Sequence, residues 1–387
     1  MVILFINLNK GLMKKIILKK MCLIGAFCLP LLFASCSDDD ESFAPISLKS
    51  ITTISDMATP ITQAPLGDFI AIHGDGLDLA NIDSVLVNDV KVDLRETYTE
   101  KSILYMKIPV KLPNVETDKI YIYNRQGCQE LPFKAVPPAL YLERMFNEYT
   151  KPGDTITIYG DFFDLYEINS QNGVVDFNGK PSKIISSSNT YLTAKVPNDV
   201  DKNIKVKVKG TKYNVEASCP GYYYDNNCMV MNFDNIVPSD PTYVVTNSAD
   251  KQRLSGNFLR IDNTSAWSGW WYIASIEGTQ LTDDMLDHPE NYEVKCEFRT
   301  ASQLVKDKIM FYTYLFWDAA PMEWSPADFK FQNFNRWETI TLPLVVNRSS
   351  TYTDNGYYHS FNIRVESEET FARNFCFDNI RISKKND

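Results

Sequence analysis

The 387-residue chain repeats itself. Gly67-Asp68-Phe69-Ile70-Ala71-Ile72-His73-Gly74-Asp75-Gly76-Leu77 returns 86 residues later as Gly153-Asp154-Thr155-Ile156-Thr157-Ile158-Tyr159-Gly160-Asp161-Phe162-Phe163. Each copy reads as a turn, a strand with period two, and a second Gly-Asp turn. The parallel continues: Val85–Asn88 answers Val174–Asn178, Met106–Pro109 answers Ala194–Pro197, and Ile120–Tyr123 answers Ile204–Val208. Short alternating strands punctuated by turns over about ninety residues predict a small β-sandwich, made twice. His73 is replaced by Tyr159 in the second copy, so both read as ordinary strand side chains rather than ligands.

Pro137-Pro138 and Cys219-Pro220-Gly221 mark the boundaries, placing the copies at 47–137 and 138–224. The texture changes from 225 to 387. Phe233-Asp234-Asn235-Ile236 near the start of this part recurs as Phe377-Asp378-Asn379-Ile380 at its end, which predicts terminal strands lying side by side. Between them, Asn257–Ile261, Trp270–Ser275, Glu293–Arg299, Lys308–Trp317, Thr339–Val345 and Ser360–Val365 read as strands, with a helical turn at Thr282–Asp287. The fold class expected is all-β: two small β-sandwiches followed by a jelly-roll-like sandwich of about 160 residues.

All six tryptophans, Trp267, Trp270, Trp271, Trp317, Trp324 and Trp337, fall in that last part. A β core fills well enough with Val, Ile, Leu, Phe and Tyr, whereas a surface that stacks on a flat, weakly polar partner needs indole. The apolar C–H face of a pyranose ring is such a partner. In Gly269-Trp270-Trp271-Tyr272-Ile273, alternation puts Trp270 and Tyr272 on one face and Trp271 and Ile273 on the other; Trp270 is read as outward. Trp267 follows a loop-like Asn263-Thr264-Ser265-Ala266. The Lys308–Trp317 strand carries Tyr314 and Trp317 and leads into a proline-bounded loop with Asp318, Glu323 and Trp324. Stacking and hydroxyl-accepting groups together make this loop, centred on Trp324, the leading candidate site. Tyr358 adds a loop contact, and Trp337 at a strand entry is read as packing.

The chain begins with a leader. Lys14, Lys15, Lys19 and Lys20 precede a short apolar stretch, Met21 to Phe33, which favours a cleaved signal over a spanning helix. It ends in Phe33-Ala34-Ser35-Cys36, which resembles a bacterial lipobox with Phe in place of the usual Leu. The expectation is a signal peptide at 1–35, lipidation of Cys36 and an acidic tether at 36–46, with a plain secretory signal as the alternative. Ser37-Asp38-Asp39-Asp40-Glu41 is similar to the surface-export signal of Bacteroidetes lipoproteins. Without residues 1–35 the chain carries 34 basic against 49 acidic side chains, net −15, which argues against nucleic acid or an anionic membrane surface. Attachment would come through the lipid, at the outer membrane.

Cys128, Cys219, Cys228, Cys296 and Cys376 form an odd set without metal-ligand spacing. Cys219 and Cys228 could close a small loop, but free thiols are the better reading. No cofactor is expected, although Thr282-Asp283-Asp284 leaves calcium open. Glu323 with Asp318 or Asp328 could form a carboxylate pair of the kind glycosidases use, although paired acids in loops are common and mostly solvated. No GxSxG, HExxH, P-loop or dinucleotide fingerprint occurs.

The doubled repeat, covering about 47–224, resembles the IPT/TIG immunoglobulin-like domain, whose opening strand reads G-x-x-[IV]-x-[IV]-x-G-x-x-[FL]. With the leader and the Trp-rich C-terminal part, the whole resembles the surface glycan-binding proteins of Bacteroidetes polysaccharide utilisation loci, of the SGBP-B type. That resemblance implies a non-catalytic lipoprotein capturing xyloglucan or a related β-glucan beside SusC-like and SusD-like partners. A protein-binding adhesin and a glycoside hydrolase remain the alternatives.

Overall fold

The computed structural model describes residues 45–279, 281–304, 307–314, 322–324, 334–346 and 359–385; at 263–268, 277–279, 308, 310, 312–314, 359–360 and 368–372 it describes the backbone alone. Ile46–Asp387 form one compact unit. Among the described residues no helix is long and apolar enough to cross a membrane.

The two repeats fold alike. In the first, the strand Phe69–Asp75 pairs antiparallel with Ser47–Thr53 and with Ile103–Lys107. In the second, Thr155–Asp161 pairs with Tyr141–Met145 and Tyr191–Lys195. Their shared glycines have shared causes. Gly67 and Gly153 both turn with φ +86, a conformation that side chains avoid. At Gly74 a Cβ would come within 2.2 Å of the Ser47 carbonyl oxygen, and at Gly160 within 2.2 Å of that of Tyr141. The partner strand bulges beside each, at Leu48/Ser50 and at Leu142/Arg144. The inward apolar positions build separate cores, with Ile70, Ile72, Leu104 and Met106 in the first and Ile156, Ile158, Leu192 and Ala194 in the second. His73 lies 2.9 Å from the Thr52 hydroxyl, and Arg144 stacks over Tyr159 at 4.7 Å.

In the C-terminal domain the strands are β1 (Met229–Met231), β2 (Val244–Val245), β3 (Phe258–Thr279), β4 (Tyr292–Thr300), β5 (Asp307–Tyr314), β6 (Met322–Trp324), β7 (Glu338–Pro343) and β8 (His359–Lys384). Their order is β2-β3-β8-β4-β7, with β1 and β5 also on β8 and β6 on β5. β3 and β8 are long antiparallel partners that run through both halves of the sheet system. Two separate strands expected at 257–261 and 270–275 are therefore one, and the expected strand at 360–365 continues to the end of the domain. β1 does pair with the end of β8, Met229 with Arg381 and Met231 with Ile380, while Phe233–Ile236 bends away just beyond it. The expected helical turn is a helix at Asp283–Asp287, capped by the Thr282 side chain on the Met285 N–H. Phe298, Ile309, Phe311, Phe361, Ile363, Val365, Phe375 and Phe377 fill the interior.

A buried ionic seam joins this domain to the second sandwich. Glu148 accepts from Lys295 at 2.7 Å and from Arg381 at 2.5 Å, and Arg381 also reaches Glu297 at 2.9 Å. Thr339 donates to Glu297 at 2.9 Å and accepts the Glu148 N–H at 2.8 Å. Arg144 pairs with Glu338 at 2.8 Å, and at the domain's first residue Asp225 accepts from Ser383 at 2.6 Å. Gly221, read above as a boundary signal, is needed for contact: a Cβ there would lie 1.9 Å from the Glu148 carboxylate. The five cysteines of the described residues are unpaired, Cys219 and Cys228 included.

Candidate functional site

Alternation along β3, β8 and β5 sorts the aromatics. One face of β3 buries Ile273 and half-buries Trp271; the other turns Trp270 and Tyr272 to solvent, at 62% and 39% exposure. Their rings meet edge to face with centroids 5.8 Å apart. The neighbouring strand β8 repeats the division. Phe361, Ile363 and Val365 point into the core, while Arg364 and Glu366 lie on the side of Trp270. Arg364 stacks over the Trp270 ring at 5.5 Å and donates to Glu366 at 2.5 Å. Ser275 and Asn362 are cross-strand partners joined by a 2.5 Å hydrogen bond.

The backbone register carries this row onward. Tyr272 pairs with Arg364, Arg364 with Met310, and Met310 with the exposed Glu323. At the usual strand spacing of ~4.8 Å those four positions cross about 14 Å of sheet. An aromatic ledge held at one edge by a guanidinium, with carboxylates beside it, is suited to a flat polyhydroxylated ligand: rings stack on a C–H face while charged groups take the equatorial hydroxyls.

Trp324 is not part of that ledge. It is 7% exposed and packs edge-on against Phe298, with centroids 4.9 Å apart, inside the core. The reason is register. Trp324 pairs with Ile309 in a short strand, not a loop, and shares the inward parity of Met322, Ile309 and Phe311. Glu323 between them faces out, so the expected Trp–Glu pairing is split across the sheet. Trp337 packs edge to face on Phe258 at 5.8 Å, and its Nε1–H donates to the Gln252 carbonyl at 2.7 Å.

The backbones of Trp267 and Tyr314 pair with Phe371 and Ser360. Their side chains, and Cys36, Trp317, Asp318, Asp328 and Tyr358, lie outside the described residues. Tyr272, Arg364 and Glu366 were absent from the expected site. The Phe361–Glu366 alternation, apolar at odd positions and polar at even ones, was the signal that could have found the last two.

A cavity of about 750 Å³ opens at another end of the domain, among Tyr222, Asp225, Val230, Met285, Tyr292 and Lys384. Its charged groups are engaged, Asp225 with Ser383, Lys384 with Asp284, and Lys385 with the Glu290 carbonyl. Asp283 and Asp284 occupy the first turn of the short helix, and Asp284 accepts the Tyr292 hydroxyl. Among the described residues no cluster of three His, Cys, Asp or Glu could hold a metal ion.

Residues 223–384 match the family model of the surface glycan-binding protein B xyloglucan binding domain. This match spans the C-terminal domain and not the rest of the chain. Residues 144–252 match the IPT/TIG domain. The surface glycan-binding protein PbSGBP-B from Prevotella bryantii has a similar solved structure at 18% identity, covering 89% of this chain and 99% of that one, with a TM-score of 0.58. That likeness shows a common fold. An SGBP-B from a complex xyloglucan utilization locus in Bacteroides uniformis matches at 14% identity over 88% of this chain and 99% of that one, with a TM-score of 0.49. Among curated proteins the comparison finds no match.

Proposed function

We propose that the chain is a non-catalytic surface protein that captures a β-glucan or xyloglucan-type polysaccharide on the Trp270 face. One observation carries this reading: a domain that matches the glycan-binding family model turns two aromatic rings outward, backed by Arg364 and flanked by Glu366. Each stacking contact and hydroxyl bond replaces one made with water, so affinity per domain is modest, with Kd on the order of micromolar or weaker. Many copies along one long chain raise the avidity. Anchoring through Cys36 at the outer membrane, and handover to SusC-like and SusD-like proteins, complete the proposal.

Affinity gel electrophoresis against xyloglucan, barley β-glucan, laminarin, mannan and xylan tests it. Retardation by a glucan, lost in Trp270→Ala with folding intact, is the expected result. No retardation by any of the five, or retardation unchanged in Trp270→Ala, overturns the assignment. Shortened oligosaccharide products would point instead to a hydrolase using Glu323.

A further inference from the structure

Among the aromatics of the C-terminal core sits a fully buried ion pair. Arg373 donates through Nε to both carboxylate oxygens of Asp307 at 2.9 Å, and its Nη2 lies 2.8 Å from Oδ1. The same guanidinium donates to the Ser367 hydroxyl at 2.6 Å and lies 5.6 Å from the Trp271 ring centroid. Both charged side chains are 0% exposed. An apolar replacement of such a pair is often neutral or stabilising, so its presence calls for a reason other than stability.

The register supplies one. Asn263 pairs with Arg373, Trp267 with Phe371, and Gly269 with Ser367. From the first pair to the second, β3 spends four residues against two on β8; from the second to the third, β8 spends four against two. Successive bulges on opposite strands turn a ribbon through a corner. In a straight strand Ser367 and Arg373 would stand about 20 Å apart, a span that no arginine side chain bridges. Their hydrogen bond therefore shows that β8 folds sharply here, with Arg373, Asp307 and Ser367 inside the bend. Gly269, with φ +107, supplies the backbone turn on the β3 side.

The bend adjoins the face already described. Trp271 rests on Arg373 from the inside, and its neighbour Trp270 faces out by alternation. Asp307 is the first residue of β5 and pairs with Ser367, so the same carboxylate also sets the register that brings Met310 opposite Arg364. We propose that Arg373 and Asp307 are positioning residues of the ligand face. Their fork geometry fixes the corner of the β3–β8 ribbon and the register of β5, and thereby the placement of Trp270 relative to Arg364. This rests on the Trp270 face being the glycan site.

The test compares Asp307→Asn, which keeps the shape and removes the charge, with Arg373→Lys, which keeps the charge and removes the fork. Glu297→Gln serves as a control that breaks a buried ion pair elsewhere in the domain. Xyloglucan and barley β-glucan are titrated calorimetrically well below each variant's melting temperature, and amide exchange is followed over 263–271. Both face variants are expected to weaken binding about tenfold, equivalent to about 1.4 kcal/mol, and to exchange faster at 263–271. Glu297→Gln is expected to lower the melting temperature with affinity unchanged. Wild-type affinity in Asp307→Asn, or full rescue by Arg373→Lys, would overturn the positioning role. Should the wild type bind neither glucan, the functional reading fails by itself. Exchange at 263–271 then decides the corner: faster exchange in both variants supports it, and unchanged exchange overturns it.

Discussion

Arg381 and Glu148, 233 residues apart, meet in the buried seam between the second sandwich and the C-terminal domain, Nη2 to carboxylate at 2.5 Å. Glu148 holds Lys295 as well, and Arg381 holds Glu297 and stacks over Tyr149 at 4.9 Å. Removing one member leaves buried charge without compensation. Arg381→Met is expected to cost about 3–5 kcal/mol. Scanning calorimetry should show the two domains melting together in the wild type and separating in the variant. Joint melting of both proteins at one temperature would contradict this coupling.

The seam also gives stability a pH dependence with two opposed parts. Burial drives the Glu297 carboxyl up from 4.5 to about 7 against the attraction of Arg381. Between those values the native state binds the extra proton, so this contribution is full below 4.5 and lost as pH rises through about 7. Burial also opposes ionisation of Glu148, but Lys295 and Arg381 outweigh it and hold that carboxyl below 4.5. Its contribution is present above 4.5 and lost as pH falls through the native value. The melting temperature of wild type minus that of Glu297→Gln should therefore decline as pH rises from 4.5 to 7. A flat difference across that window would refute the assignment.

Two tryptophans should separate binding from folding. Trp270→Ala removes an exposed ring and is expected to abolish glucan retardation with the melting temperature almost unchanged. Trp324→Ala empties a core position beside Phe298 and is expected to destabilise by about 3–5 kcal/mol, with affinity retained by the fraction that stays folded. Urea denaturation alongside affinity electrophoresis reads both effects, and a reversed pattern would return Trp324 to the binding face.

The paired glycines offer an internal comparison. Gly74→Ala and Gly160→Ala each force a methyl against a carbonyl oxygen at 2.2 Å. Each is expected to cost about 1–3 kcal/mol, measured as a lowered urea midpoint. Free tolerance at either site would show that the neighbouring strand gives way.

Trp270 and Trp324 show how far the candidate site was legible. Local alternation was enough to divide Trp270 and Tyr272 from Trp271 and Ile273, because a strand's period of two is a property of the backbone. Which side was core needed partners. The prolines and acidic neighbours of Trp324 look like a loop, yet pairing with Ile309 makes it a strand residue facing inward. Arg364 lay in a strand already recognised and Glu366 just past its expected end, but nothing local said that they flank Trp270.

By itself the sequence determined the periodicity, the doubled sandwich with its paired glycines and the confinement of tryptophan to one domain. These depend on side-chain alternation, turn chemistry and composition, which act over a few residues. Only the tertiary structure decided that β3 and β8 run as one bent ribbon, that Arg373 and Asp307 sit inside its corner, and that Glu148 reaches Arg381 across the domains. Those choices rest on buried pairings between residues tens to hundreds of positions apart. Their energies appear only when folding removes the water between them.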